Sequence, residues 1–198
     1  PLPEQKRIAA ILDKADTIRR KRRESIRLLD GFLRSVFLDM FGDPVKNTKG
    51  WRARSLEDVA EIVSGVTKGR KLRGEDVALV PYMRVANVQD GHIRLDDVTE
   101  IPASREEIRN YRLRKGDVLL TEGGDPDKLG RGAVWQGTID PCIHQNHIFR
   151  VRPDTSVVLP DYLSQLIGSA RGKRYFLRAA KQTTGIASIN MTQLKGFS

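Results

Sequence analysis

Cysteine and histidine residues near the middle of the C-terminal half could bind a metal ion. Cys142, His144 and His147 lie close together, and thiolates and imidazoles are ligands that zinc prefers. Their C-x-H-x-x-H spacing supplies three ligands but has no matching distal pair. Packing and hydrogen bonding are therefore the favoured roles, with a metal site as the alternative.

A group of carboxylates could instead hold the metal ion of a nuclease. Asp117, Glu122, Asp125 and Asp127 are near one another in the sequence, with Lys128 beside them. The string Gly-Gly-Asp-Pro-Asp that surrounds Asp125 is also common in turns, because these residue types adopt turn conformations readily. A turn is the favoured interpretation, and the sequence predicts no metal site.

Motifs of common enzyme active sites are absent from the sequence. It contains no G-x-x-x-x-G-K-[ST] phosphate loop, no G-x-S-x-G elbow and no H-E-x-x-H zinc pair. It also lacks the glycine-rich cofactor loop and the Asn-Pro-Pro-aromatic turn expected of a methyltransferase. We therefore expect no catalysis by this chain alone and no bound cofactor.

A basic, glycine-rich segment has the composition of a phosphate-binding loop. Glycines at 65, 69 and 74 would let the backbone approach phosphates closely, and the basic side chains between them would neutralise charge. The alternative is a solvated basic loop. The predicted contacts are Lys68, Arg70, Lys71 and Arg73.

Three polar residues alternate along a predicted strand over 80–88 and its exit. They are Arg84, Asn87 and Gln89, of which Asn87 and Gln89 would share one face of a regular strand. Arginine pairs with guanine and Asn or Gln with adenine through two hydrogen bonds, so the triplet predicts base readout. An internal ion pair of Arg84 is the equal alternative.

Three further pairs of polar residues are predicted DNA contacts. The first pair flanks Gly130 after the acidic turn and suits phosphates. The second precedes a predicted strand, where amides either reach base edges or cap the strand. The third belongs to a small polar surface near the end of the chain. In that order they are Lys128 and Arg131, Gln145 and Asn146, and Thr183 and Thr184.

The first 44 residues must form an element that positions the rest. Apolar residues recur at spacings of three and four, which predicts one long amphipathic helix that Gly42 and Pro44 end. From about Glu4 to Phe41 it would be ~55 Å long at ~1.5 Å per residue. A stripe of this length needs another helix against it, and a basic run at 19–23 interrupts it. The predicted pairing residues are Ile11, Ile18, Leu29, Leu33 and Val36.

Residues 45–198 are predicted to form an α+β domain, carried on the helix of residues 1–44. A short capped helix is expected over 55–65 and a brief helix at the S-x-x-E capping box that starts at Ser104. Strands are expected over 80–88, 117–121, 133–135 and 148–151. A helix is expected over 160–180, weakened in its middle by two glycines.

Charge and cysteine usage restrict the partners and the compartment. The formal net charge is +10, and residues 45–198 alone carry 25 basic and 18 acidic residues, a net of +7. A polyanion is the natural partner, nucleic acid ahead of a membrane surface, since no segment is apolar over the ~20 residues of a membrane span. The single cysteine indicates a reducing cytoplasm. A start at Pro1 rather than Met predicts a processed product or a piece of a longer protein.

Several strings in the sequence resemble the DNA-specificity subunit of type I restriction-modification systems. Short strings at 65–69, 114–120 and 145–151 stand where its recognition domain has similar ones. The three longest are Pro1-Leu-Pro-Glu-Gln-Lys-Arg-Ile-Ala-Ala-Ile-Leu, Phe41-Gly-Asp-Pro and Gly185-Ile-Ala-Ser-Ile-Asn-Met-Thr-Gln-Leu-Lys-Gly-Phe. The resemblance covers essentially the whole chain, as a connecting helix followed by one target recognition domain.

The resemblance implies sequence-specific binding of double-stranded DNA without catalysis. In this family a full subunit carries two recognition domains, each reading half of a split site, joined by two antiparallel helices. Methyl transfer to adenine and binding of S-adenosylmethionine belong to partner modification subunits, and a separate restriction subunit cleaves. The resemblance also places the helix at the contact with the modification subunits.

This chain departs from that layout because it has one recognition domain and one helix. It is either the interior portion of a longer subunit or a half-subunit that forms a homodimer through its helix. Two other function classes stay open as alternatives. One is a DNA-acting enzyme fragment, either a nuclease or a methyltransferase, and the other is a basic adaptor that binds RNA or an acidic protein.

Overall fold

The chain folds into two compact units, Pro1–Gly50 and Trp51–Ser198. The structure is a computed structural model that describes residues 1–72, 76–183 and 185–198, without the side chains of Asp127 and Thr183.

The first unit consists of one long helix and the turn that ends it. Helix α1 (Leu2–Phe41) has 40 residues, so it is ~60 Å long at ~1.5 Å per residue, and Pro3 stands in its first turn. Gly42 follows with a positive φ of 78°, and Lys49 Nζ donates to the carbonyl oxygens of Asp39 and Met40, which satisfies the last turn. The prediction of a long N-terminal helix is confirmed.

The second unit mixes strands and short helices. Its strands are β1 (Ala60–Ser64), β2 (Val77–Met83), β3 (Thr99–Ser104), β4 (Val118–Thr121), β5 (Gly123–Gly124), β6 (Gly132–Val134), β7 (Ile143–His144), β8 (Ile148–Pro153), β9 (Lys181–Thr183) and β10 (Ile186–Ser188). Its helices are α2 (Arg105–Tyr111), α3 (Pro160–Gly168), α4 (Ala170–Ala179) and α5 (Met191–Lys195). Short 3-10 turns lie at Leu56–Asp58, Val85–Asn87 and Pro126–Lys128.

The strands of the described residues form three small sheets. The largest is antiparallel with the order β1-β8-β4-β6, and a second has the order β5-β10-β9. In the third, of order β3-β2-β7, β2 pairs antiparallel with β3 and parallel with β7. Together with α1, this arrangement confirms the predicted α+β class with a long helical arm.

The four-stranded sheet is buried on both faces. Side chains alternate along β4, so Val118 and Leu120 pack on one face and Leu119 on the other. The first face meets the helices, through Leu163 and Phe176 among others. The second face packs on a cluster with Met83, Leu113, Trp135, Cys142 and Ile148. Burial of both faces explains why β4 is a continuous apolar run.

Three predicted elements differ from the structure. The helix expected over 55–65 is wrong, because only a 3-10 turn forms there and residues 60–64 are strand β1, paired with β8. The strand expected over 80–88 ends at Met83 and gives way to a 3-10 turn. The helix expected over 160–180 is divided at Ser169 into α3 and α4. Ser169 caps the start of α4, because its Oγ accepts a hydrogen bond from Arg171 N.

Candidate nucleic-acid interface

The turn between β7 and β8, residues 145–147, holds two loops together. Val66 N donates to His144 O at 2.8 Å, and Asn146 N donates to Val66 O at 3.1 Å. Gln145 N donates to Met83 O at 2.9 Å. Because backbone atoms make these bonds, the segments that follow β1 and β2 are fixed on either side of this turn.

The same turn also holds the loop after β4. Glu122 N donates to His147 O at 3.0 Å, and His147 Nδ1 lies 2.5 Å from Glu122 Oε2. Ile189 N donates to Glu122 O at 2.9 Å, and strand β5 pairs with β10. The β9–β10 hairpin is thereby joined to the loop that follows β4.

These segments meet at one end of the four-stranded sheet. In the strand register Ser64 pairs with Phe149 and Thr121 with Ile148, so β1 and β4 end where β8 begins. We call the assembled surface the loop cluster; it comprises residues 65–72, 84–98, 122–131 and 145–147 and strands β9 and β10. Most of the predicted DNA contacts lie within it, which the sequence order alone did not require.

In the basic loop two lysines are exposed, whereas one arginine is held by hydrogen bonds within the fold. Lys68 and Lys71 are exposed. Arg70 donates from Nε and Nη2 to the carboxylate of Glu107, both at 2.6 Å, and also to Pro102 O at 3.1 Å. The Arg70 guanidinium holds the pKa of Glu107 below its usual value. Arg70 therefore anchors the loop to the start of α2, where the sequence predicted a phosphate contact. Arg73 lies outside the described residues.

Asn87, which the sequence predicts to read bases, is buried in the structure. Its side chain is 0% exposed, Oδ1 accepts from Arg84 N, and Nδ2 donates to Arg94 O and Asp97 O. All its hydrogen-bonding groups are therefore used to fold the loop after β2. The predicted alternation of the triplet also fails, because a 3-10 turn replaces the strand.

The two neighbours of Asn87 in the predicted triplet are also occupied, though less completely. Arg84 Nη2 donates to Asp97 Oδ2 at 2.7 Å, which is the internal ion pair given above as the alternative. Gln89 is half-buried, and its Nε2 donates to Ala86 O at 2.8 Å. Gln89 alone of the three keeps an acceptor group without a partner among the described residues.

The remaining predicted contacts lie in the loop cluster and differ in their exposure and in the internal contacts that they make. Lys128 is exposed and pairs with Asp125, whereas Arg131 is half-buried. Gln145 Oε1 accepts from Val85 N at 3.2 Å, and Asn146 Nδ2 lies 3.4 Å from His147 Nε2. The side chain of Thr183 and all of Thr184 lie outside the described residues.

The thiol and imidazole considered as metal ligands are built into the core below the cluster. Burial raises the pKa of Cys142 to about 12 and lowers the pKa of His144 to about 4. His144 Nδ1 lies 3.1 Å from Ile148 O, while His147 is turned to Glu122. In the part of the chain that the structure describes, no group of three His, Cys, Asp or Glu side chains could hold a metal ion.

Close backbone approach at the start of the basic loop requires a glycine at 65. A Cβ at Gly65 would lie 1.9 Å from His144 O and 2.6 Å from its carbonyl carbon. Backbone atoms cannot yield as a flexible side chain can, so no larger residue fits. The sequence singled out Gly65 for approach to phosphates, whereas the structure shows its approach to His144.

Sequence reasoning missed a basic surface beside the loop cluster. Arg174 and Arg178 on α4 are exposed, while Gly172 and Phe176 on its opposite side are buried. The signal was available in the sequence, since two arginines four residues apart share a helix face. The predicted helix over 160–180 is defined by its apolar positions, of which Phe176 lies on the other side of α4.

The chain is similar in sequence to type I specificity subunits, although no family model matches it. The putative type I restriction enzyme MjaX specificity subunit of Methanocaldococcus jannaschii is 29% identical over 150 residues, 73% of this chain and 34% of that protein. The type I restriction enzyme EcoKI specificity subunit of Escherichia coli K12 is 24% identical over 217 residues, 98% of this chain and 44% of that protein. The chain thus spans less than half the length of these relatives.

Two solved structures share the fold. The HsdS subunit of Thermoanaerobacter tengcongensis has a TM-score of 0.50 at 17% identity, covering 96% of this chain and 43% of that one. A chain from a structure of the type I R-M system has a TM-score of 0.53 at 18% identity, covering 99% and 46%. The resemblance predicted from the sequence is confirmed, and the fold is that of these subunits. None of the described helices is both long and apolar enough to cross a membrane.

Proposed function

We propose that this chain is a DNA-recognition portion of a type I restriction-modification specificity subunit. The second unit would bind part of a double-stranded target, and partner modification and restriction subunits would perform methylation and cleavage. The observation that carries this proposal is the loop cluster, in which polar segments from distant parts of the chain meet at one end of a sheet. The names of the relatives support the same role. The cytoplasmic location stays a prediction.

In this proposal the exposed lysines of the basic loop bind phosphates. Lys68 and Lys71 are exposed, and the +7 net charge of residues 45–198 favours the approach of a polyanion such as DNA. Arg131 and Lys128 lie between β5 and β6 and would make further phosphate contacts. Phosphate contacts orient the duplex but carry no base information.

Base readout is assigned to amides that the fold leaves at least partly accessible. Asn146 is half-buried, and its only described side-chain contact is with His147 Nε2 at 3.4 Å. Gln89 and Gln145 are weaker candidates, since each already makes one internal hydrogen bond. An amide that pairs with adenine contributes ~1–3 kcal/mol of discrimination.

The first experiment selects bound duplexes from a random pool in the presence of modification subunits, then compares two variants on the selected target. Lys68→Ala with Lys71→Ala should weaken the binding of target and random duplexes alike. The negative slope of log K against log salt should become less steep by ~1.8. Asn146→Ala should reduce the preference for the target by ~1–3 kcal/mol.

Selection of single-stranded RNA, or of no duplex sequence at all, would contradict the proposal and favour the adaptor alternative. Equal effects of the two variants on target and random DNA would contradict the division into phosphate and base contacts. The pair Arg114→Ala with Lys115→Ala is the control for lost charge, because both residues are exposed and precede β4, at the end opposite Glu122.

Helix α1 is proposed to pair with an antiparallel helix, either from a longer chain or from a second copy. Ile11, Ile18, Leu29 and Leu33 are each more than half exposed, and Val36 is half-buried. Burying each exposed side chain would contribute ~1.5–3 kcal/mol. Antiparallel pairing of two copies would present the same loops to both halves of a split site.

Sedimentation of the chain across a range of concentrations tests self-pairing. Ile18→Asp with Leu29→Asp should abolish a dimer, whereas Thr17→Asp with Ser35→Asp adds the same charge away from the apolar stripe and should preserve it. A monomer at every concentration would contradict self-pairing and leave a helix of a longer chain or a modification subunit as the partner.

A further inference from the structure

Helix α4 presents a basic face that the proposed loop contacts do not use. Arg174 and Arg178 are exposed and one helical turn apart, and the exposed Lys181 follows at the start of β9. Phe176 is buried on the opposite side of the helix. Within the described residues, none of these three basic groups has a carboxylate at ion-pair distance, so their charges are not compensated inside the fold.

The helix that carries this face is in contact with the loop cluster. Lys173 Nζ is 4.0 Å from Asp90 Oδ2 in the loop after β2. A Cβ at Gly130 would lie 2.6 Å from the Phe176 ring, so α4 also packs closely under the loop after β4. Helix α4 therefore contacts two of the loops on which DNA recognition is proposed, through Lys173 and Phe176, and it carries the basic face on its exposed side.

Lys181, at the end of this face, is the first residue of β9 and so belongs to the loop cluster. Lys181 pairs with Ser188 across β9 and β10, and Ser188 pairs with Gly123 on β5. Gly123 is next to Glu122, which bonds the turn at 145–147. Lys181 is thus one strand away from the segment that anchors the loops.

We propose that Arg174, Arg178 and Lys181 form a second phosphate-binding surface, which holds the DNA backbone next to the bases contacted by the loop cluster. This inference rests on the proposed function of the second unit. The two arginines are ~6 Å apart along the helix axis, similar to the ~7 Å rise between alternate phosphates of one strand. Their guanidinium groups suit phosphate oxygens, which accept two hydrogen bonds from one fork.

The chemistry favours a nucleic-acid backbone over an acidic protein surface. Leu177 is 39% exposed between the two arginines, but no larger apolar patch surrounds it on α4 among the described residues. Protein interfaces usually bury an apolar centre. A regular line of positive charge beside polar loops is instead the electrostatic footprint of a nucleic-acid site.

The test compares two double variants of the full chain on the selected target duplex, between 0.1 and 1 M salt. Arg174→Gln with Arg178→Gln removes two charges from the proposed surface, and Arg114→Gln with Lys115→Gln removes two exposed charges at the far end of β4. Thermal melting followed by circular dichroism checks that both variants fold like the parent.

The slope of log K against log salt is negative; it should become less steep by ~1.8 in the α4 variant and stay at the parental value in the control. The ratio of parental to variant affinity should then change by roughly 60-fold over the tenfold salt range. Preference for the target over random duplex should be unchanged, because these contacts read no bases. Adding Lys181→Gln to the α4 variant should make the slope less steep by a further ~0.9.

If the slope is unchanged in the α4 variant and the parent prefers the target, α4 does not bind phosphates, and the proposed function is left intact. Loss of binding to a modification subunit at an unchanged DNA slope would also overturn the phosphate-binding surface, in favour of an acidic protein partner. A parent without any sequence preference would instead overturn the proposed recognition function, while the slope difference between the two variants would still decide on phosphate binding by α4.

Discussion

Replacing Asn87 by alanine should destabilise the second unit by about 3 kcal/mol. The side chain makes three internal hydrogen bonds, to Arg84 N, Arg94 O and Asp97 O, and it is fully buried. Each such bond contributes roughly 1 kcal/mol net, and a buried group left without a partner costs roughly 1–3 kcal/mol. The loop after β2 should therefore lose its fixed shape, and binding should weaken for all DNA sequences alike.

Urea denaturation of the parent and the variant measures this loss. Gln89→Ala is the control two residues away, because Gln89 is only half-buried and makes one side-chain bond, to Ala86 O. Its cost should be about 1 kcal/mol or less. If Asn87→Ala left the free energy of unfolding within ~0.5 kcal/mol of the parent and abolished target preference, Asn87 would be a base reader and the structural assignment would fail.

Three more measurements test particular contacts. Gly65→Ala should cost at least ~3 kcal/mol of unfolding free energy because its Cβ meets His144 O, whereas Gly168→Ala, with open space around it, should be neutral or stabilise by up to ~1 kcal/mol. Arg70 lowers the pKa of Glu107 from its usual value of 4.5, so the ionised pair stabilises the fold fully at pH values above 4.5. This stabilisation is lost as the pH falls through the lowered pKa, so the difference in unfolding free energy between the parent and Glu107→Gln should become smaller there. Burial keeps His144 neutral and lowers its pKa from 6.5 to about 4, so between these pH values the unfolded chain binds the proton more readily than the folded one. The unfolding free energy of the parent should therefore fall by about 3 kcal/mol as the pH falls across that range, and His144→Gln should not show this loss.

Local sequence signals predicted the elements that depend on near neighbours. The periodic apolar spacing and the Gly42 end gave α1, and the Ser104–Glu107 capping box gave α2, where both reciprocal hydrogen bonds are present. The apolar run at 118–121 gave β4 because burial of both sheet faces needs consecutive apolar residues. In these cases the residues that decide the structure lie within a few positions of one another.

Distant partners decide the elements that the sequence did not predict. Residues 55–63 have a serine and early acidic residues, which favour a capped helix, but pairing of Glu61 with Arg152 and Ile62 with Val151 makes a strand. A polar side chain also gives no sign of its own burial. Asn87 and Arg84 differ from exposed DNA contacts only because Asp97 and Arg94 fold back on them.

The backbone bonding of the turn at 145–147 separates the positions that can vary from those that cannot. Its links to Val66, Met83 and Glu122 use main-chain nitrogen and oxygen atoms, which every non-proline residue supplies. Exchange of the exposed side chains on these loops should then leave the anchoring geometry in place at little folding cost. A new binding preference can thus arise by few substitutions at exposed positions, provided that Gly65 and Asn87 are kept.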